Sequence, residues 1–392
     1  MRTTCPQPAS SIQRRHHWTG TIPCCLCCLL FQTVHLAADE PAAKPQYEAD
    51  GIHVPQAAAD EPKRTEISVR LAAEYLEHGT IAWNQKRSCV TCHTNGIYMT
   101  VRPALTPYLG RPRDDAREFF VKVLKDKAAT EREKLLRSTL PAQVIYTAAG
   151  LAEWDAHVTK QLSPETDQAL RLMFDIQLES GTWGTLDCWP PYESDAYHEA
   201  TVAAMAAATA PGWLANLKNE KVLAAVDRLK KYLRTQSPPH DYGRTLLLWA
   251  STRVPDLIDS KQKSELIEML AKHQRPDGGW SIRTFAAPEA WGNGGRAKKL
   301  QAEPEFADPP SDGHQTGLAI VVLRAAGVDA KDERVQRGVK WLLANQRASG
   351  RWWTRSLNTD TYHFITYSGT AFPLMALAAC DAIPDPTAGG CR

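Results

Sequence analysis

The chain has almost no net charge. Its 46 Lys and Arg against 44 Asp and Glu leave a formal +2 over 392 residues. No electrostatic footprint for a polyanion results, which argues against nucleic acid as a partner. Long apolar runs are also missing beyond the N-terminus, where no stretch reaches the roughly 18 residues that span a bilayer. Cysteine is scarce over most of the chain. Cys5, Cys24, Cys25, Cys27 and Cys28 crowd the first residues, leaving Cys89, Cys92, Cys188, Cys380 and Cys391 for everything that follows.

The crowded N-terminus reads as an export signal over residues 1–38. A basic start (Arg14, Arg15, His16, His17) precedes the mostly apolar "WTGTIPCCLCCLLFQTV" and the small-residue "HLAADE". Cleaved, it predicts a periplasmic or extracellular protein. Retained, it is an N-terminal anchor giving peripheral membrane contact. Either way disulfides and covalent haem become chemically permitted. Residues 39–64 are rich in Pro, Ala and charge without periodicity, and predict a disordered linker.

Tryptophan is abundant, with twelve residues, and three of them mark a repeat. Gln177-x3-Gly181-x-Trp183 recurs as Gln274-x3-Gly278-x-Trp280 and again as Gln346-x3-Gly350-x-Trp352. Each copy ends an amphipathic helical pattern, and "VLAAVDRLKKYLRTQ", ending at Gln236, is a degenerate copy. Glycine permits the left-handed turn that stops a helix. The Gln amide can cap backbone groups at neighbouring helix ends, and the Trp ring can seal the joint. After each motif comes a blander, more apolar helix. Charged and apolar helices therefore alternate, outer starts falling near residues 66, 114, 163, 219, 259 and 332, and inner starts near 94, 141, 197, 242, 314 and 363. Six such hairpins predict an all-α fold, an (α/α)6 toroid over residues 65–382 with a short tail at 383–392. An open solenoid would show the same alternation without closure.

These repeats, with "DGGW" among them and "YSGTAFPLMALAAC" near the end, resemble the squalene-hopene cyclase and protein prenyltransferase superfamily of α/α toroids. The resemblance implies an enzyme acting on an isoprenoid or other extended apolar substrate in a central cavity. The acid motif of the squalene cyclases, Asp-x-Asp-Asp, is missing. In its place "YESDAYHEATVAAM" offers Asp195, His198 and Glu199. Asp312, His314 and His363 resemble the zinc set of the prenyltransferases with His in place of Cys, which implies zinc as a cofactor. Trp189, Trp249, Trp291, Tyr362 and Phe372 would line the substrate.

In a closed toroid every outer-to-inner loop lies at one end, so the residues that begin inner helices share one mouth. His93, His198, His240, His314 and His363 all fall at such points. They could bind a metal, ligate haem or carry protons, or they could simply hydrogen-bond their own loops. Asp195, His198, Asp312, His314 and His363 are the candidate catalytic groups. His93, Asp312, His314 and His363 are the candidate metal ligands.

The loop "RSCVTCHTNGIYM", residues 87–99, joins this mouth. Cys89-x-x-Cys92-His93 is the spacing that ties haem c to a chain, two thioethers and a proximal imidazole. A Cys89–Cys92 disulfide and a thiolate metal knuckle with His93 are the alternatives. The functional readings are a cyclase- or prenyltransferase-like enzyme with a haem or metal at its mouth, a non-catalytic haem module serving a redox partner, and a purely structural interaction protein.

Overall fold

The computed structural model describes residues 44–184, 189–192 and 195–383. The expected export signal, Cys188, Cys391 and the tail from residue 384 lie outside them. Six helical hairpins follow one another. They are α1 (Val69–Lys86) with α2 (Asn95–Val101), α3 (Asp114–Ala128) with α4 (Leu140–Trp154), and α5 (Pro164–Asp175) with α6 (Ala196–Thr209). Then come α7 (Glu220–Thr235) with α8 (Asp241–Ser251), α9 (Ser260–Lys272) with α10 (Gly313–Ala325), and α11 (Glu333–Asn345) with α12 (Ile365–Ala379). The first of each pair is outer and the second inner, as expected for the toroid.

Burial explains the two helix types. Outer α7 buries Ala225, Val226, Leu229 and Leu233, a single stripe at helical spacing. Inner α10 buries every residue from Gly313 to Leu323, because neighbours surround it on all sides. Its contact with α12 is backbone to backbone. A Cβ on Gly317 would sit 2.5 Å from the nitrogen of Pro373. Gly317→Ala should therefore overpack this seam and destabilise the protein by about 1–3 kcal/mol. An unchanged urea midpoint would show that α10 and α12 can separate freely.

The repeated motif acts as a joint. In each copy the Gln side-chain nitrogen donates to the carbonyl of its own Gly and to a carbonyl of another outer helix or its cap. Gln177 reaches Gly181 and Ala225, both at 3.1 Å, and Gln274 reaches Gly278 and Arg334, both at 2.8 Å. Each Trp indole donates back into the helix it closes, to Met173, Leu270 or Leu342, at 2.7–2.8 Å. The third copy closes the ring. Gln346 donates to Gly350 at 2.8 Å and to Ser68, the N-cap of α1, at 3.0 Å. The last outer helix thus docks on the first as the others dock on their successors. On the inner side, the Tyr367 hydroxyl of α12 donates to the carbonyl of Leu76 in α1 and lies 2.9 Å from Thr80 Oγ1.

The described part of the expected linker, residues 44–64, has regular structure in place of the disorder its composition predicts. Strands β1 (Tyr47–Ala49) and β2 (Ile52–Val54) pair antiparallel. The segment after them pairs with the last motif, Arg64 N–H donating to the Gln346 carbonyl and Ala348 N–H to the Pro62 carbonyl, both at 2.8 Å. The Arg351 guanidinium donates to the Pro55 carbonyl at 2.8 Å. Those partners lie almost three hundred residues away in sequence, so no local periodicity announced them. Among the described residues no helix is long and apolar enough to cross a membrane.

Candidate functional site

Between α1 and α2 the chain turns through the Cys-x-x-Cys-His loop, and Asn95 holds it in shape. This residue is fully buried. Its carbonyl oxygen accepts from Thr91 N–H at 2.7 Å, while its amide nitrogen donates to Asn84 Oδ1 at 2.8 Å and to the Cys89 carbonyl at 3.3 Å. The Trp83 indole donates to the same Cys89 carbonyl at 3.1 Å. Cys89 carries a free thiol, so Cys89 and Cys92 are not joined to each other.

All five residues from Cys89 to His93 line one cavity of about 290 Å³ at the mouth. Its other walls include Gln143, Trp189, Tyr192, Tyr362 and Phe364. Burial pushes the His93 imidazole down to about 4, so it is neutral at ordinary pH. Its ring stands edge-on to Trp83 and tilted against Phe364, with centroids 4.9 Å away in both cases. Nδ1 lies 2.9 Å from Thr94 Oγ1. Among the described residues, Nε2 of His93 has no hydrogen-bond partner.

Deeper in the barrel a second cavity of only about 50 Å³ remains. Tyr192 faces both. Around this point the structure gathers several of the expected groups. Tyr192 hydrogen-bonds Ser368, whose Oγ lies 2.7 Å from His314 Nδ1. On its other side His314 Nε2 lies 3.2 Å from the Tyr242 hydroxyl. His198 donates from Nδ1 to the Pro191 carbonyl at 2.8 Å and lines the inner cavity. Asp195 caps α6 by accepting from His198 N–H at 2.8 Å, and its other oxygen lies 3.6 Å from His240 Nε2. Burial lowers the affinity of His198 and His240 for a proton, against the pull of Asp195.

The remaining candidates are structural in their contacts. His240 Nδ1 accepts from Gly243 N–H at 3.0 Å and caps α8. Asp312 caps α10, accepting from Gln315 N–H at 2.9 Å and Ile282 N–H at 2.7 Å, and burial raises its carboxyl to about 6. His363 Nδ1 accepts from Ser356 N–H at 3.0 Å. Asp312, His314 and His363 are thus committed to different partners. Among the described residues, no group of three or more His, Cys, Asp or Glu side chains could hold a metal ion. The zinc set does not fit this geometry. Of the expected aromatic lining, Trp189 and Tyr362 face the mouth cavity, Trp249 and Phe372 face the inner one, and Trp291 is buried against His240. Sequence reasoning missed Asn95, Tyr192, Ser368 and Thr94. A polar residue right after the haem-type motif was the available signal for Asn95 and Thr94; Tyr192 and Ser368 had none.

No curated protein sequence matches the chain. Among solved structures, one that the chain matches is a type II terpene cyclase from Scytonema in complex with geranylgeranyl dihydroxybenzoate. It has a TM-score of 0.41 and 11% identity, and the match covers 80% of this chain and 99% of that one. Residues 242–382 match the family model of the squalene-hopene cyclase C-terminal domain. This region, which holds two of the three Gln-x3-Gly-x-Trp joints, is similar to the squalene-hopene cyclase family.

Proposed function

We propose that the mouth cavity is a covalent c-type haem site and that the protein is a redox module built on a cyclase-like toroid. One observation carries the reading: Cys89, Cys92 and His93 line the same cavity, with a neutral imidazole whose Nδ1 side is already engaged. Cys89 and Cys92 would hold the group through their sulfurs, and His93 would offer Nε2 as a nitrogen ligand. Such a group, when bound, supplies one-electron chemistry. The chain's own part is to fix the imidazole, hold the loop through Asn95 and surround the site with Trp189, Tyr362 and Phe364. The export signal read at the N-terminus suits attachment outside the cytoplasm, and a redox partner would exchange electrons at the open mouth.

A second reading, an enzyme acting on an isoprenoid or other extended apolar substrate, is favoured by the aromatic walls of the same cavity. Magnitude decides where such a substrate would lie. Ligand pockets run to roughly 300–1,000 Å³, so the mouth cavity, at about 290 Å³, is near that range and the inner one, at about 50 Å³, is not.

Intact-mass spectrometry separates the two. Produced in an exporting host with haem-maturation machinery, the full chain should gain the mass of one haem and keep a Soret band after denaturation. The Cys89→Ser/Cys92→Ser variant should be colourless. A colourless wild type that retains a polyprenyl alcohol would overturn the haem reading in favour of the second.

A further inference from the structure

The N-terminal hairpin supplies no sulfur or imidazole to the mouth, yet it reaches the imidazole there. The Tyr47 hydroxyl lies 2.9 Å from Thr94 Oγ1, and that same oxygen lies 2.9 Å from His93 Nδ1. Tyr47 is buried and Thr94 fully so, so water does not compete for these bonds. Burial also keeps the Tyr47 phenol protonated, a donor at any working pH.

Packing alone leaves the ring undecided. Trp83 and Phe364 restrain its plane. A half-turn about the Cβ–Cγ bond leaves the outline of an imidazole nearly unchanged while exchanging Nδ1 with a carbon. Only a directional bond distinguishes the two poses, and the bond to Thr94 is the one present. A threonine hydroxyl has two lone pairs and one proton. It can therefore accept from Nδ1–H and from Tyr47 together, which leaves Nε2 with its lone pair toward the cavity.

The hairpin is itself seated by the last repeat. Gln46 donates to the His363 carbonyl at 3.4 Å and receives the Arg351 guanidinium at 3.4 Å. The Tyr47 ring packs against Phe364 and Tyr367 with centroids 5.7 and 5.9 Å away. The relay therefore begins at the seam where the first and last repeats meet.

We propose that Tyr47 and Thr94 are positioning residues for His93, a hydrogen-bonded relay by which the N-terminal hairpin sets the edge and tautomer of the imidazole that the mouth cavity meets. The proposal rests on the reading of His93 as the ligating residue of that cavity, and its test is built to fail separately. In the full-length, haem-free Cys89→Ser/Cys92→Ser protein, ¹⁵N shifts of the His93 ring should report a single tautomer. Thr94→Val should move them to averaged values of a mixture, Thr94→Ser should restore them, and Tyr47→Phe should fall between. In the haem-loaded chain, Thr94→Val should retain the covalent mass while shifting the Soret maximum and midpoint potential, again with rescue by Thr94→Ser. Ring shifts indifferent to Thr94→Val would overturn the relay, whatever the haem content. A wild type with no haem but responsive ring shifts would sink the haem reading and leave the positioning role standing.

Discussion

Trp352→Ala should destabilise the protein by about 3–5 kcal/mol, the range for deleting a buried Trp. The ring is fully buried, and its indole donates to Leu342 at 2.8 Å. Its motif also joins the last outer helix to Ser68 at the start of the first. Against a total stability of about 5–15 kcal/mol this is a large fraction. Trp183→Ala and Trp280→Ala should cost comparable amounts, because each indole makes the equivalent bond. Trp189→Ala is the control: that side chain is 54% exposed and should change stability by roughly 0.5 kcal/mol or less. Urea unfolding checks the set. A Trp352→Ala cost no larger than that of the control would mean the seam does not hold the ring closed.

Mild acid should destabilise the protein, and buried imidazoles are the cause. Burial lowers His314 to about 3 and His363 to about 4, against an ordinary value of 6.5. Their folded-state affinity for protons is below that of the unfolded chain. Between pH 6.5 and 4 the unfolded state therefore takes up protons that the native state refuses. The stabilisation from each is fully present above pH 6.5 and drains away as pH falls through that window. At 1.36 kcal/mol per unit of pKa, each imidazole can remove on the order of 3 kcal/mol. Asp312 opposes them, since a carboxyl raised to about 6 favours the native state as pH falls from 6 toward 4. Two imidazoles outweigh one carboxyl, so the net trend is loss. The urea midpoint should drop between pH 7 and pH 5, and less steeply in His314→Asn. An acid midpoint equal to the neutral one would refute the account.

How much of this was legible depends on the range of the interactions involved. The twelve helices were, because apolar periodicity and the Gln-x3-Gly-x-Trp joints are written in adjacent residues. Every inner helix begins within about two residues of its expected start. The hairpin at Tyr47–Val54 and the segment after it were not, because Tyr47 packs on Phe364 and Tyr367, and Pro55, Pro62 and Arg64 pair with Arg351, Ala348 and Gln346. Rim histidines could be placed at one end of the barrel but not sorted by role. His240 and Asp312 cap helices through short local bonds, whereas His314 sits between Ser368 and Tyr242 from two other repeats.

The sequence by itself determined the helical alternation, the joints that end the outer helices, and the presence of two thiols and an imidazole on one short loop. Each of these is set by residues within a few positions of one another. Tertiary structure alone decided that the ring closes through Gln346 and Ser68, that the barrel's centre is filled by its own side chains, and that His93 faces a cavity with Thr94 and Tyr47 behind it. Those outcomes depend on which distant surfaces meet, and side-chain volume and bond direction are settled only where they do.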